Sequence, residues 1–408
     1  MIPYARQPSV RLATRMERIG TETAFEAAAR ARALEATGRE VVHLEIGEPD
    51  FDTPRHVSEA AARALLEHGE THYTAPTGIA PLREAIVADV ARWKGIETVP
   101  ERVVVSPGAK PIMFYAMLAL VDTGDEVIYP NPGFPIYESM AAFVGGRPIA
   151  APLREENDFR VDVEELATLV TDRTRLIVIN SPHNPTGSIL TDDDLRRIAE
   201  IAVERDIVVL ADEIYGRLQY EGTPLSIATL PGMAERTITL DGFSKTYAMT
   251  GWRLGYGVLP EWLVPAFSRL IINSVSCTNA FAQFGAVEAL TGSQAEADAY
   301  RAEFIARRSL MIDGLNAIAG VTCRMPHGAF YAFPNISSFG RSSAEIADHL
   351  LYDAGVCGLA GTAFGEFGEG YLRFSYANSR ENLALALERV GASLAKLERT
   401  GELVRAES

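Results

Sequence analysis

The chain has 408 residues, a formal net charge of −16 and three cysteines. That length exceeds what one small core organises, so a large unit plus a smaller one is expected, and the acidic balance argues against non-specific nucleic-acid binding. No apolar run reaches membrane-span length, and Cys277, Cys323 and Cys357 have neither metal-ligand spacing nor the number for a disulfide framework.

In chain order, the first residues carry Arg6, Arg11, Arg15 and Arg18 without the apolar core of a signal peptide. With reduced, packed thiols, this leads to the expectation of a cytoplasmic protein whose basic start is an arm or a frayed end. An amphipathic helix is predicted over 23–37. Short β-rich runs follow at 103–106, 126–129, 175–180, 207–211, 237–240 and 254–258. Helical patterns lie at 111–120, 136–143, 191–204 and 260–273. Near-continuous Val/Ile/Leu strands separated by helices predict a largely parallel sheet covered on both faces. Thr191 followed by Asp192, Asp193 and Asp194 reads as a helix cap with first-turn acids. From about 294 onward the pattern turns α+β. A helix-prone stretch over 294–319 precedes strands at 328–333 and 371–376, helices at 343–353 and 381–397, and a charged tail. The expected division is 1–46, an arm and helix joining the small unit; 47–293, a large domain; and 294–408, a small C-terminal domain.

Lys245 follows an apolar strand and precedes Arg253 in a short loop. Lysines in mostly buried settings lose their proton and become amine nucleophiles that form imines. An arginine fork suits a phosphate. Imine-forming lysine plus phosphate anchor is the pair that pyridoxal 5′-phosphate requires; on their own, the two residues also read as a solvated loop lysine and a surface arginine. Asp212 ends a strand, and ligands in open α/β sheets bind beyond the carboxyl ends of strands. It could keep a pyridine nitrogen protonated, making the ring an electron sink, or simply cap a helix. Tyr215 lies three residues on, and Asn184 sits in a loop stiffened by Pro182, Pro185 and Gly187. Both could reach the ring's phenolate oxygen. Backbone amides of Gly108, Ala109 and Lys110, between a strand and a helix, would face a phosphate. Phe134 could stack on the ring or pack in the core. Arg373 lies in an apolar strand and needs an anionic partner, either a substrate α-carboxylate or a structural salt bridge.

These segments run in order along the chain with Gly47-Glu48-Pro49-Asp50-Phe51-Asp52-Thr53-Pro54, Tyr73-Thr74, Asn184-Pro185-Thr186-Gly187, Asp212-Glu213-Ile214-Tyr215, Ser244-Lys245, Thr250-Gly251-Trp252-Arg253, Gly328-Ala329-Phe330-Tyr331 and Arg373-Phe374-Ser375-Tyr376. Together they resemble the class I/II aminotransferases of the fold-type I pyridoxal-phosphate enzymes, in the aspartate aminotransferase-like branch of bacteria and archaea. The resemblance implies an α/β large domain with a mostly parallel seven-stranded sheet, plus a smaller α+β domain. It makes Lys245 the Schiff-base lysine and the acid–base at Cα. Asp212 would sit at the ring nitrogen, with Asn184 and Tyr215 at the phenolate oxygen. Arg253, Ser244 and the amides of Gly108, Ala109 and Lys110 would bind phosphate, and Phe134 would cover the ring. Arg373, Asn184 and the Gly47 backbone would hold the α-carboxylate. Tyr73 would reach the phosphate of a neighbouring subunit, so a homodimer is implied.

The implied activity is ping-pong transfer of an amino group from an L-amino acid, aspartate-like or of broad specificity, to a 2-oxo acid such as 2-oxoglutarate. Alanine or aromatic amino acids as donors, or a C–S lyase or synthase on the same scaffold, are the alternatives. Neither metal, nucleic acid nor membrane enters this reading. Four departures bear on it. Gly242 stands where many relatives carry a phosphate-binding serine, for which Ser244 would substitute. Phe134 replaces the tryptophan frequent in dicarboxylate-specific relatives. The Ser-x-Thr element for acidic side chains is displaced or absent near Thr21 and Thr23, while Lys110 matches a lysine associated with acidic substrates.

Overall fold

The computed structural model describes residues 11–397; Arg6 and the charged tail after Leu397 lie outside the described residues. Seven strands form the main sheet: β1 (Val103–Ser106), β2 (Glu126–Asn131), β3 (Arg147–Pro152), β4 (Thr174–Asn180), β5 (Val208–Asp212), β6 (Thr237–Gly242) and β7 (Gly255–Val258). Their order is β1-β7-β6-β5-β4-β2-β3. β7 runs antiparallel to both its neighbours; the remaining pairs are parallel.

The reason for the continuous apolar runs is visible strand by strand. Leu176 and Val178 of β4 join Leu210, Ile238 and Leu240 in the core on one face. Ile177 and Ile179 join Val209 and Ala211 on the other. Successive side chains of a strand point to opposite faces, and here helices cover both, so no position is left for a polar alternation. Fully burying each such aliphatic side chain contributes about 1.5–3 kcal/mol. Six of the strands fall where the sequence pattern predicts them. β3 is the exception. It lies at the sheet edge, contains Pro148 and Pro152, and is buried only over its last two residues. An edge strand tolerates proline and needs no apolar run. Helix Asp192–Glu204 is capped as its sequence implies. The Thr191 hydroxyl accepts from the Asp194 N–H at 3.1 Å, and the Thr191 N–H donates to the Asp194 carboxylate at 2.8 Å.

The C-terminal part carries an antiparallel sheet in which Leu372–Ser375 lies between Leu359–Ala360 and Tyr331–Ala332. Helices Ala295–Asn316 and Arg380–Leu394 pack with it through Phe304, Met311, Leu383 and Val390. Val42–His43 pairs in parallel with Val356–Cys357. Ala27 and Ala31 of helix Thr23–Glu35 pack against Leu351 and Leu359, so the N-terminal stretch is built onto the C-terminal elements. The strand expected over 328–333 shrinks to Tyr331–Ala332. Ala329 takes φ +57°, and Gly328 lies so near Pro182 that a Cβ there would stand 2.5 Å from its ring. The chain bends where it meets the loop after β4. Among the described residues, no helix is long and apolar enough to cross a membrane.

Candidate active site

The central strands finish level with one another: Asn180 of β4 is in register with Asp212 of β5, and Asp212 with Leu240 of β6. At this carboxyl edge lies a cavity of about 480 Å3, within the usual range for small-molecule sites. Lys245, Asp212, Tyr215, Asn184, Ser244, Arg253, Ala109, Lys110, Phe134, Gly47 and Arg373 all line it. Gly108 lies directly beneath the Arg253 guanidinium, at φ +88°, where a side chain would collide with that group. Tyr73 is the one predicted site residue not brought there; it is 88% exposed on the surface.

Lys245 sits in the turn that follows β6. Its Nζ donates to the Gly47 carbonyl at 2.5 Å and stands 6.0 and 5.8 Å from the ring centres of Tyr215 and Phe330. Among the described residues no carboxylate pairs with it. Burial takes its pKa down to about 8, with Arg373 and Lys110 adding to the effect and Glu48 opposing it. A lysine so placed is a usable amine base near neutral pH.

Asp212 is buried at the end of β5 and accepts from the Tyr137 hydroxyl at 2.7 Å and the Ile214 N–H at 3.2 Å. Burial lifts its pKa to about 6, against the lowering effect of those two bonds. Above that pH it is an anion facing the cavity. The amides of Gly108, Ala109 and Lys110 open helix Lys110–Leu120, whose N-terminal dipole favours an anion. Gly255 of β7 packs so tightly on the Gly108–Ala109 backbone that any side chain there would strike it. Gly242 is likewise tight: a Cβ would stand 3.0 Å from Gly255 Cα and from the Leu254 carbonyl oxygen. A serine at 242 would require its neighbours to give by a few tenths of an ångström, whereas Ser244 reaches the cavity.

Arg373 is 4% exposed. Its Nη1 donates to Asn184 Oδ1 at 3.1 Å and its Nη2 to the Glu45 carbonyl at 2.5 Å. Its Nε is buried without a partner. The guanidinium lies 4.5 Å from the Tyr331 ring centre and 4.7 Å from that of Phe364. Among the described residues no carboxylate comes within ion-pair distance of it, so the structural salt bridge considered from sequence is not what Arg373 makes. Burial lowers its pKa from the usual guanidinium value.

Three contributors carry no role in the sequence reading, although Tyr331 lies in one of its motif segments and Asn180 ends one of its strands. Tyr331 bonds the Tyr215 hydroxyl at 2.6 Å and crowds Gly47, where a side chain would meet its hydroxyl. Tyr137 holds Asp212 from the first turn of helix Ile136–Val144. Asn180 donates to the Asp212 carbonyl at 2.9 Å and accepts from the Asn184 N–H at 2.9 Å, tying two loops of the site together.

Fold and site define an α/β enzyme whose reactive groups are a buried amine, an opposing carboxylate and two arginines at the carboxyl edge of a mostly parallel sheet. The family profile described as aminotransferase class I and II matches residues 39–390. An aromatic-amino-acid aminotransferase 2 of Thermococcus litoralis is 42% identical over 86% of this chain and 90% of its own length. An aspartate aminotransferase of Pyrococcus abyssi is 42% identical over 86% and 91%. The solved aspartate aminotransferase from Thermus thermophilus with maleate superposes with a TM-score of 0.91 at 38% identity, covering 94% of this chain and 100% of that one. The chain belongs to the class I and II aminotransferase family, with the fold-type I architecture, and is an aminotransferase; the family uses pyridoxal phosphate.

Proposed function

We propose that this enzyme binds pyridoxal 5′-phosphate at Lys245 and moves an amino group from an L-amino acid, aspartate-like or of broad side chain, to a 2-oxo acid such as 2-oxoglutarate, in two half-reactions. The observation that carries this reading is the buried, carboxylate-free guanidinium of Arg373 opening into the same cavity as the amine of Lys245. A buried cation without an anion is costly, and a substrate α-carboxylate supplies the missing partner.

The residues present fit the cofactor. The close approach of Gly108 to Arg253, the helix N-terminus and Ser244 make an anion cradle suited to its phosphate. Asp212 would hold the ring nitrogen, Asn184 and Tyr215 the ring oxygen, and Phe134 one ring face. When bound, the cofactor supplies a carbonyl carbon for the amino group and a ring that accepts the electron pair released at the amino acid's Cα. Lys245 would take the proton from the amino acid's Cα and return it to the carbon that had been the cofactor's carbonyl. Arg373, Asn184 and the Gly47 backbone orient the α-carboxylate, and Asp212 keeps the ring nitrogen protonated, an arrangement set before the reaction starts. Tyr73, exposed on its own subunit, would complete the phosphate site of a second subunit in a homodimer. We place the enzyme in the cytoplasm and divide it at 46/47 and 293/294, in keeping with its separate sheets.

A half-reaction screen tests this. Each amino acid is added to the cofactor-loaded protein and the loss of its yellow absorbance is followed. Lys245→Ala should lack both that absorbance and transamination; retained turnover overturns the assignment. Pyruvate released from a donor without any acceptor would make it a lyase instead.

A further inference from the structure

Two acidic side chains in the cavity, Glu22 and Glu48, have no part in the roles above. Glu22 occupies the N-cap position of helix Thr23–Glu35, yet its carboxylate makes no capping bond. It accepts instead from Nζ of Lys110, the first residue of helix Lys110–Leu120. Both residues line the cavity that holds Lys245 and Arg373. The Glu22 side chain is only 20% exposed, so water screens it incompletely. Its charge acts on Lys245, Tyr331 and Arg373 across the cavity.

With the α-carboxylate at Arg373 and the amino group at Lys245, a substrate's side chain is left the remaining wall. Its charged groups are Glu22 and Lys110, already joined, and Glu48, which accepts from the Thr250 hydroxyl. Apart from Thr23, the wall beside them is apolar: Ala24, Phe25, Phe134, Ala363 and Phe364. Lys110 Nζ also lies 5.3 Å from the Phe134 ring centre, so the cation is held by Glu22 on one side and an aromatic ring on the other.

We propose that Glu22 is a specificity-determining residue: by occupying Lys110 it cancels the cation at the side-chain end of a largely apolar wall, which favours aromatic and aliphatic side chains over a second carboxylate. A dicarboxylic substrate reaching for Lys110 must displace Glu22 or lie beside a like charge, a repulsive element of the kind that sets selectivity. It therefore binds more weakly, without being shut out. An aromatic side chain needs only the apolar wall. The inference rests on the aminotransferase reading and refines the substrate class of that site.

The experiment compares cofactor-loaded wild type, Glu22→Gln, and Glu22→Gln combined with Lys110→Met. For each, kcat/KM is measured with L-aspartate and L-phenylalanine, and equilibrium binding with maleate and hydrocinnamate. Wild type should prefer phenylalanine to aspartate and hydrocinnamate to maleate. Glu22→Gln should raise the aspartate-to-phenylalanine ratio and tighten maleate by roughly tenfold or more, and Lys110→Met should cancel both gains. Unchanged ratios and maleate affinity in Glu22→Gln overturn the proposal. Wild type that takes aspartate at least as well as phenylalanine overturns it whatever the variants do. If no amino acid changes the spectrum of wild type, the aminotransferase reading itself has failed, and the two binding constants still decide the role of Glu22.

Discussion

Replacing Lys245 by methionine in cofactor-free protein isolates the cost of burying its amine. Burial takes the pKa from 10.5 to about 8. That difference corresponds to about 3 kcal/mol of destabilisation while the group is charged in both states. The sign follows from counting protons. Below the folded value of about 8 the lysine is protonated whether folded or unfolded, and the folded protein bears the whole desolvation cost. Between about 8 and 10.5 the unfolded chain binds a proton that the folded protein has released, so wild-type stability rises with pH. Above 10.5 both states are neutral and the cost is gone. Methionine fills similar space and never titrates. It does lose the hydrogen bond to the Gly47 carbonyl, worth about 1 kcal/mol. Lys245→Met should therefore be more stable than wild type by about 2 kcal/mol near neutral pH, with the advantage shrinking as pH climbs through the window above. Paired thermal-unfolding scans at one protein concentration measure this difference. A gap that stays constant across the window, or widens with pH, refutes the reasoning.

Arg373→Lys keeps a charge but loses the planar fork, and should lower kcat/KM for amino acids by about 100-fold, chiefly through KM; steady-state kinetics that match wild type remove Arg373 from the carboxylate site. Asp212 becomes an anion as pH rises through about 6, so cofactor affinity of the empty protein should increase over that interval. Asp212→Asn should lack this rise, and comparing absorbance titrations of the two cancels the cofactor phosphate's own ionisation; superimposable profiles argue against the ring-nitrogen contact. Tyr73→Phe should speed cofactor loss on dialysis by about tenfold. A fully active monomer in sedimentation and turnover assays rules out a shared site.

The large sheet is legible along the chain because strands buried on both faces are written as continuous runs, such as Leu176 to Ile179 and Val208 to Ala211. Strand-end chemistry is legible for the same reason: once β5 and β6 are placed, Asp212 and Lys245 must fall at one edge, whatever lies between them. β3 escapes because an edge strand obeys weaker rules, and the strand expected over 328–333 is shortened where Ala329 takes a left-handed φ. Gly242 looks from sequence like a lost serine; only the fold shows that it packs tightly against Gly255, so that a side chain there needs its neighbours to give.

Partnerships are another matter. Tyr215 and Tyr331 are 116 residues apart, and Glu22 and Lys110 are 88 apart, yet each pair is a direct contact. The absence of a carboxylate beside Arg373 is likewise a property of the packed interior, and it is what separates a substrate anchor from a structural ion pair. Residue type and periodicity act between chain neighbours, so they decide which elements form and what chemistry stands at their ends. Which of those groups meet, which are left charged and unpaired, and how far water is kept from them depend on elements distant in the chain being packed together.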